Sequence, residues 1–432
     1  MLQDLRTKLN SVLRNKEYKR VGENIIALSL LNGIYFLSPL ILIPFLMHTI
    51  GSELYGIYIF SWTFIYYYIF IVNYGFEYTT TRDIAINRKD LKKVSEIFSI
   101  TFYTRLLLVC VSFIILGFCL LFIHKFQQNA QIILLGLGVI IGQALFPTWL
   151  YQGMEEMKFI TIVNSITRLL PLVLVFIFVK TGKDIGLIIL FQSVGYLSGG
   201  LFSHFFAIKH YKLKLTIPVF SKIKENLISG WSMFVSTVGI SFYRETNTIL
   251  LGFLTNNFEL VGFYALSDKI VRLFQIIANT FTQALFPFFG SRLIERKEDT
   301  LIKYKKVGFY YSIFLLLCTI ILFLFIPLIS KLYLGKEFPS IIRDVRILSP
   351  IILFGGLNYY FGIAGLVNFN HKKVFTVFVL FAGIINIILC LILGRFYADA
   401  GAAFSLLIAE FLLLCLILFY LNKKENIFHI SF

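Results

Sequence analysis

Residues 227–254 read LISGWSMFVSTVGISFYRETNTILLGFL, and residues 261–286 read VGFYALSDKIVRLFQIIANTFTQALF. Each stretch is long and apolar enough to cross a bilayer as one helix, since a crossing takes about 20 residues. Charged side chains nevertheless fall inside both stretches, namely Arg244, Glu245, Asp268, Lys269 and Arg272. A charge at bilayer depth costs at least about 2.5–3.5 kcal/mol, so it normally faces a partner or a wet cavity. These two stretches therefore decide the fold class and direct the search for a site.

The composition of the whole chain agrees with a membrane protein. Of the 432 residues, 58% are hydrophobic and 15% are charged, and the mean hydropathy is +0.82. A soluble protein has a much lower apolar share. The polar stretches are short, so the sequence predicts an all-α integral membrane protein without a separate soluble domain.

Twelve membrane-spanning helices are predicted from the apolar stretches. They cover residues 24–50, 55–80, 96–123, 130–151, 159–179, 185–208, 227–254, 261–286, 307–330, 345–369, 374–393 and 402–421. Lys and Arg number 27 in the segments on the side of the N-terminus and 8 on the opposite side. The positive-inside rule then predicts a multi-pass protein of the inner membrane with both termini in the cytoplasm. The cations are scattered over short loops, so the net charge of +17 does not indicate nucleic-acid binding.

An internal repeat predicts two lobes. ELYGIY at residues 53–58 and ELVGFY at residues 259–264 each follow the first helix of their half. Two parallel repeats of six helices explain this pattern, although chance similarity between two outer turns is the alternative. The predicted order is a cytoplasmic amphipathic segment (1–23), a six-helix lobe (24–208), a cytoplasmic linker (209–226), a second six-helix lobe (227–421) and a cytoplasmic tail (422–432).

Five cations near the middle of the predicted helices form the candidate substrate site: Arg105, Arg168, Arg244, Lys269 and Arg272. Three acids accompany them, Glu245, Asp268 and Glu410, which leaves about two surplus positive charges near the midplane. The complementary cargo is an anion such as a diphosphate, whose oxygens suit the forked guanidinium group. The alternatives are internal pairing, Arg244 with Asp268 or Glu245 with Lys269, and helix-packing contacts of Arg105 and Arg168 to backbone carbonyls. The acids are candidates for ion coupling through protonation.

Helix-breaking residues mark candidate hinges and gates. Pro39 and Pro44 lie inside the first predicted span, where each forms either a hinge or a fixed kink. Pro147 and Gly153 bracket the end of span four. This junction is either a membrane-interface anchor with a charged turn or a cytoplasmic gate. No nucleophile–base arrangement and no metal-ligand spacing is present in the sequence, so neither an enzyme nor a bound cofactor is expected.

Three stretches resemble the Wzx-type O-antigen and polysaccharide flippases, a polysaccharide transporter family of the MOP (MATE-like) exporter superfamily. They are FPTWLYQGMEEMKF at residues 146–159, NYGF at 73–76 with TRDIA at 81–85, and IGSELYG at 50–56. The resemblance implies a MATE-like fold of two six-helix lobes around a central cavity. It implies flipping of undecaprenyl-diphosphate-linked oligosaccharide units, for O-antigen, capsule or exopolysaccharide, from the cytoplasmic to the periplasmic leaflet. The implied partners are that lipid-linked substrate, membrane lipids and glycan polymerase machinery.

Two other functions remain open from the residues. A MATE-like exporter of small molecules shares the predicted architecture, but most such drugs are cations, which a surplus of positive charge repels. A glycan polymerase or ligase of the envelope needs catalytic groups outside the membrane, and the longest predicted outer loop, residues 331–344, leaves little space for them.

Overall fold

The structure is a computed structural model that describes residues 38–39, 41–295 and 297–425. The predicted N-terminal segment, most of the first span and the end of the tail lie outside these residues. Every regular element described is helical. A short 3-10 helix covers Gly182–Asp184 and a π-helical segment covers Tyr360–Val367, and the other helices are α-helical. The helices are α1 (residues 41–49), α2 (Ser52–Asn73), α3 (Phe76–Asn87), α4 (Leu91–Phe122), α5 (His124–Gln128), α6 (Ala130–Leu134), α7 (Leu137–Leu145), α8 (Thr148–Gly153), α9 (Met157–Phe178), α10 (Ile185–His210), α11 (Phe220–Leu254), α12 (Phe258–Glu295), α13 (Lys297–Leu334), α14 (Pro339–Leu348), α15 (Pro350–Tyr359) and α16 (Lys372–Glu425).

Eight stretches of the described residues are long and apolar enough to cross a membrane. The predicted count of twelve is therefore not confirmed, and three features explain the difference. The first predicted span is mostly outside the described residues, and α11 and α12 carry the charges discussed above and are not among the eight. The last stretch, α16, contains a non-helical residue at Ala398 (φ 49°, ψ −123°) between the two spans predicted there.

The chain forms two compact units, and neither is a continuous segment. Unit 1 contains residues 64–238 and the described residues up to Ile50. Unit 2 contains residues 51–63 together with residues from 239 onward. Two helices, α2 and α11, thus each have one half in unit 1 and the other half in unit 2.

Unit 1 contains two helices that break within the membrane-spanning stretches. After α2 the chain turns at Tyr74 (φ 47°) and Gly75 (φ 83°) before α3 begins. After α7 it turns at Phe146 and Pro147 before α8 begins. Glycine adopts positive φ without strain, and proline lacks the N–H that would continue a helix. Both breaks are therefore encoded locally, although the predicted spans ran through them.

Glycines allow the helices of unit 1 to approach closely. A methyl carbon placed on Gly200 of α10 would lie 3.0 Å from the Cα of Gly142 on α7. On the neighbouring face of α10, Gly195 and Gly199 contact Pro171 and Thr167 of α9. Lipid provides no hydrophobic driving force for two helices to associate in a membrane. Their association therefore depends on close van der Waals packing of this kind.

The predicted linker is anchored to unit 1. Tyr211 and Leu213 are buried in its core. The next residues run along α4, where the Ser99 hydroxyl accepts the Thr216 backbone N–H at 3.1 Å. Helix α11 then begins at Phe220, so the last part of the predicted linker is helical.

Candidate functional site

Arg105 of α4 is the most deeply buried of the predicted cations whose side chains the structure describes, with 2% of its surface exposed. Its Nη2 donates to Oδ1 of Asn73 at 2.7 Å, and its Nη1 donates to the carbonyl of Phe146 at 2.7 Å. Its Nε donates to the carbonyl of Val72 at 3.3 Å. Both carbonyls lie at the C-terminal ends of broken helices, α2 and α7, where the helix dipole favours a positive charge.

Two of these contacts are to backbone carbonyls, which is the helix-packing alternative that the sequence analysis gave for Arg105. Gln143 of α7 extends them, because its Nε2 donates to Oδ1 of Asn73 at 3.0 Å. The sequence analysis did not identify Asn73 or Gln143 as functional. The sequence feature that could have indicated Asn73 is its amide side chain, which stands directly before the Tyr74–Gly75 break. Arg168, the second predicted cation of unit 1, is partly exposed on α9, one turn before Pro171.

Unit 2 contains an ionic triad formed by three of the charged residues from which the sequence predicted a site. Arg272 of α12 bonds through Nη1 to Oε1 of Glu245 at 2.6 Å and through Nε to Oδ2 of Asp268 at 2.7 Å. The three side chains are 27%, 30% and 14% exposed, so the triad is partly accessible.

Arg272 is a partner of these acids that the sequence analysis did not consider, because it paired Arg244 with Asp268 and Glu245 with Lys269. Those two pairs stay predictions. Lys269 is partly buried on α12. The side chain of Arg244 lies outside the described part of the structure. Two of the five predicted cations thus belong to unit 1 and three to unit 2, and a cavity shared by all five stays a prediction.

Glu410, a candidate for ion coupling, is buried in α16 with 7% of its surface exposed. Asn358 donates from Nδ2 to Oε2 of Glu410 at 2.7 Å and to its backbone carbonyl at 2.9 Å. A methyl carbon on Gly355 would lie 3.5 Å from the same Oε2. None of the ion pairs in the described part of the chain involves Glu410.

The predicted junction at Pro147 and Gly153 lies in the core of unit 1. Trp149 and Tyr151 are 1% and 0% exposed, so they are packed inside the protein and do not serve as membrane-interface anchors. A methyl carbon on Gly153 would lie 2.9 Å from the carbonyl of Thr81, which holds α8 close to α3. Of the other predicted hinge residues, Pro44 lies within α1 and Pro39 lies just before it. A gating role for these four positions stays a prediction.

Sequence reasoning missed two polar clusters of unit 2. Asn247 and Asn386 exchange hydrogen bonds of 3.2 and 2.8 Å in the buried interior. Near the Ala398 turn, Arg343 bonds Asp344 at 3.0 Å and Asp399 at 2.5 Å, joining α14 to the turn. Nothing in the spacing of these residues along the chain indicated that they would meet.

The helical fold places the chain in a known class of membrane proteins. It is similar to the structure of the lipid II flippase MurJ in an inward closed conformation, with a TM-score of 0.70 and 16% identity over 91% of this chain and 87% of that one. It is also similar to an inward-facing multidrug resistance MATE family transporter of the MOP superfamily, with a TM-score of 0.65 and 14% identity over 91% and 99% of the two chains. The fold is therefore that of the MurJ and MATE structures.

The sequence assigns the chain to a family within that class. Residues 21–292 match the polysaccharide biosynthesis protein family, and the chain belongs to it. It is 29% identical to the "Putative O-antigen transporter" of Escherichia coli (strain K12) over 403 residues, which cover 93% of this chain and 97% of that protein. The predicted resemblance to polysaccharide flippases of the MOP superfamily is confirmed.

Proposed function

We propose that the protein is a flippase that moves undecaprenyl-diphosphate-linked oligosaccharide units from the cytoplasmic to the periplasmic leaflet by alternating access. The observation that carries the proposal is the similarity to a protein named as an O-antigen transporter along almost the whole of both chains. The family match over residues 21–292 supports the same substrate class. The protein is a transporter and not an enzyme.

The proposed architecture has twelve transmembrane helices in two six-helix lobes, in the inner membrane, with both termini in the cytoplasm. The ratio of 27 to 8 cations between the two sets of loops supports this orientation. The turn at Ala398 supports two separate spans within α16, because its backbone is not helical.

The proposed cargo site combines Arg168, Arg244 and Lys269 with Arg105 and Arg272. The last two already hold protein groups, so cargo phosphate has to share or replace those contacts. A guanidinium group has five N–H donors, and a forked contact to a phosphate oxygen is among its strongest interactions. Arg272 is the more accessible of the two, with 27% of its side chain exposed.

Ion coupling is proposed for the buried acids. Glu410 is the first candidate because its carboxyl contacts an amide and no cation among the described side chains. Asp268 and Glu245 are weaker candidates because both already bond Arg272. Proton uptake by Glu410 would change its contact with Asn358, and so the packing of α16 on α15.

Reconstitution tests the function directly. Purified protein in liposomes with a fluorescent undecaprenyl-diphosphate oligosaccharide is expected to expose inner-leaflet glycan to a glycosidase added outside. The variant Arg168→Ala is expected to be inserted normally and to lose flipping. A rate equal to that of protein-free liposomes would contradict the flippase function. Full activity of Arg168→Ala would contradict only the anion site.

A further inference from the structure

Two buried acids of unit 2 share a single cation where α14 meets the turn at Ala398. Asp344 lies in α14 and Asp399 directly follows Ala398, and their side chains are 0% and 3% exposed. Nη2 of Arg343 contacts Oδ1 of Asp344 at 3.0 Å and Oδ2 of Asp399 at 2.5 Å. The two carboxyl groups are also within hydrogen-bond reach of each other. They are named here the Asp344–Asp399 pair.

The charges of this cluster balance only if one of the two acids is protonated. With both acids ionised, one cation faces two buried anions, and like charges in contact repel strongly in a low dielectric. Oδ1 of Asp344 accepts from Nε and Nη2 of Arg343 at 3.1 and 3.0 Å. Its Oδ2 is buried and has no hydrogen-bond partner among the described groups. A proton on this side of the carboxyl group supplies the hydrogen bond and makes the cluster neutral.

The described parts of the neighbouring elements bring no second cation to the pair. From α12, the Ser267 hydroxyl lies 3.5 Å from a backbone carbonyl of α14. Arg346 donates to a backbone carbonyl of α13, and Lys336 lies over an aromatic ring of the loop before α14. Arg395 of α16 is exposed, and α15 contains no charged residue. The charges that act on Asp344 are therefore those inside the cluster.

From this geometry we infer that the Asp344–Asp399 pair is a proton-binding site, in which one proton lies between Oδ2 of Asp344 and the carboxyl group of Asp399. Arg343 balances the negative charge that remains. The bound proton fastens a strained turn to α14, because Ala398 has a φ of 49°, which a residue with a side chain adopts only at a cost. Loss of the proton leaves two facing anions and loosens the turn. The site does not depend on the proposed transport function.

Thermal melting over a pH series tests the bound proton. A free aspartate has a pKa of about 3.9, so at pH 6 the unfolded chain has released a proton that the native pair still holds. The native state therefore loses stability as the pH rises, until the pair has lost its proton. Between pH 6 and 9 the melting temperature of the wild type is expected to fall by about 2–5 °C more than that of D344N or D399N.

The two variants are suited to this test because the asparagine amide replaces the proton as a donor and leaves one carboxylate for Arg343. Both are expected to melt above the wild type at pH 9. The matched control is E337Q, which changes an exposed acid of the loop before α14 and is expected to keep the pH dependence of the wild type. Profiles of D344N and D399N that run parallel to that of the wild type would overturn the site.

Infrared spectroscopy detects the proton directly, because a protonated carboxyl group and a carboxylate absorb at different frequencies. At pH 6 the difference spectra between the wild type and D344N, and between the wild type and D399N, are each expected to contain a carboxylic acid band. The difference spectrum with E337Q is expected to contain none. Either variant removes the shared proton, so one that folds is sufficient, and a missing band would overturn the site. Failure of the wild-type protein to flip glycolipid would count against the proposed function alone.

Discussion

Arg105 donates a hydrogen bond of 2.7 Å from its Nη1 to the carbonyl oxygen of Phe146, at the point where α7 ends. The same guanidinium reaches Asn73 at the end of α2. One side chain on an unbroken helix thus joins the broken ends of two neighbours. The end of a helix presents unpaired carbonyls, and a cation among them compensates their partial negative charge.

Replacing Arg105 is therefore expected to destabilise unit 1. In Arg105→Met, the acceptors at Val72, Asn73 and Phe146 lose a charged donor, and the loss of a hydrogen bond to a charged group costs about 1.5–3 kcal/mol. Asn73 still accepts from Gln143, and the Phe146 carbonyl still accepts from the Thr148 backbone N–H. Arg105→Lys is expected to fall between Met and wild type, since an ammonium group cannot reproduce the fork. Thermal melting of the purified protein without substrate measures the effect. Unchanged melting of Arg105→Met with lost flipping would identify Arg105 as a cargo ligand and not a packing residue.

The Arg272 triad gives a second prediction, which depends on charge balance. Arg272→Met leaves Glu245 and Asp268 without the cation that bonds them, and breaking a buried pair from one side costs about 3–5 kcal/mol. Because the triad is partly exposed, the expected loss of stability is at the lower end of that range or below it.

The combined variant Arg272→Met, Glu245→Gln, Asp268→Asn separates packing from transport. It is expected to recover most of the melting temperature, because no charge is left unpaired. If the triad only holds α11 to α12, the combined variant also flips normally. If Arg272 binds the cargo diphosphate, stability returns while flipping stays low. A flipping assay on the stable variant therefore distinguishes a packing role of the triad from cargo binding by Arg272.

Much of the fold follows from the sequence, because an apolar stretch of about 20 residues has few alternatives to a membrane helix. Residues 96–123, predicted as a span, lie almost entirely within α4 at Leu91–Phe122. The turn at Ala398 lies between the predicted spans 374–393 and 402–421, although neither a proline nor a glycine occupies that position. The break at Phe146–Pro147 was visible, but proline is also tolerated inside membrane helices, so its presence alone did not decide.

Much less of the site follows from the sequence, because the sequence does not specify how each helix is rotated about its own axis. The sequence places Arg244 and Glu245 on one predicted span and Asp268 and Arg272 on the next, near the middle of each. It does not specify which of these side chains face each other across the two helices. Asp268 and Arg272 are separated by four residues, a spacing that places two side chains on the same face of a helix, and they bond. The sequence analysis did not use this spacing. Which residue of α11 joins them depends on how the two helices are rotated, which the sequence does not specify.

Glu410→Gln tests the proposed ion coupling. Glutamine keeps an oxygen that accepts from Asn358 Nδ2, so melting is expected to change little. If proton binding at Glu410 drives transport, flipping in the variant loses its dependence on an imposed pH gradient across the liposome. The measurement is the flipping rate over a pH series with and without a gradient. An unchanged rate and an unchanged pH profile would remove Glu410 from the coupling mechanism.

Glycine packing in unit 1 gives the last prediction. Gly142→Ala is expected to lower stability by about 1–3 kcal/mol, because the added methyl group meets the Tyr196 carbonyl and the Leu197 N of α10 and forces the helices apart. Gly117 of α4 is the matched control, since a methyl carbon there has no neighbour within 4 Å. Gly117→Ala is expected to be neutral or to stabilise by up to about 1 kcal/mol through helix propensity. Thermal melting of both variants decides the matter: equal melting temperatures would show that α7 and α10 are not in the close contact described, and a loss confined to Gly142→Ala would locate the packing constraint at that contact.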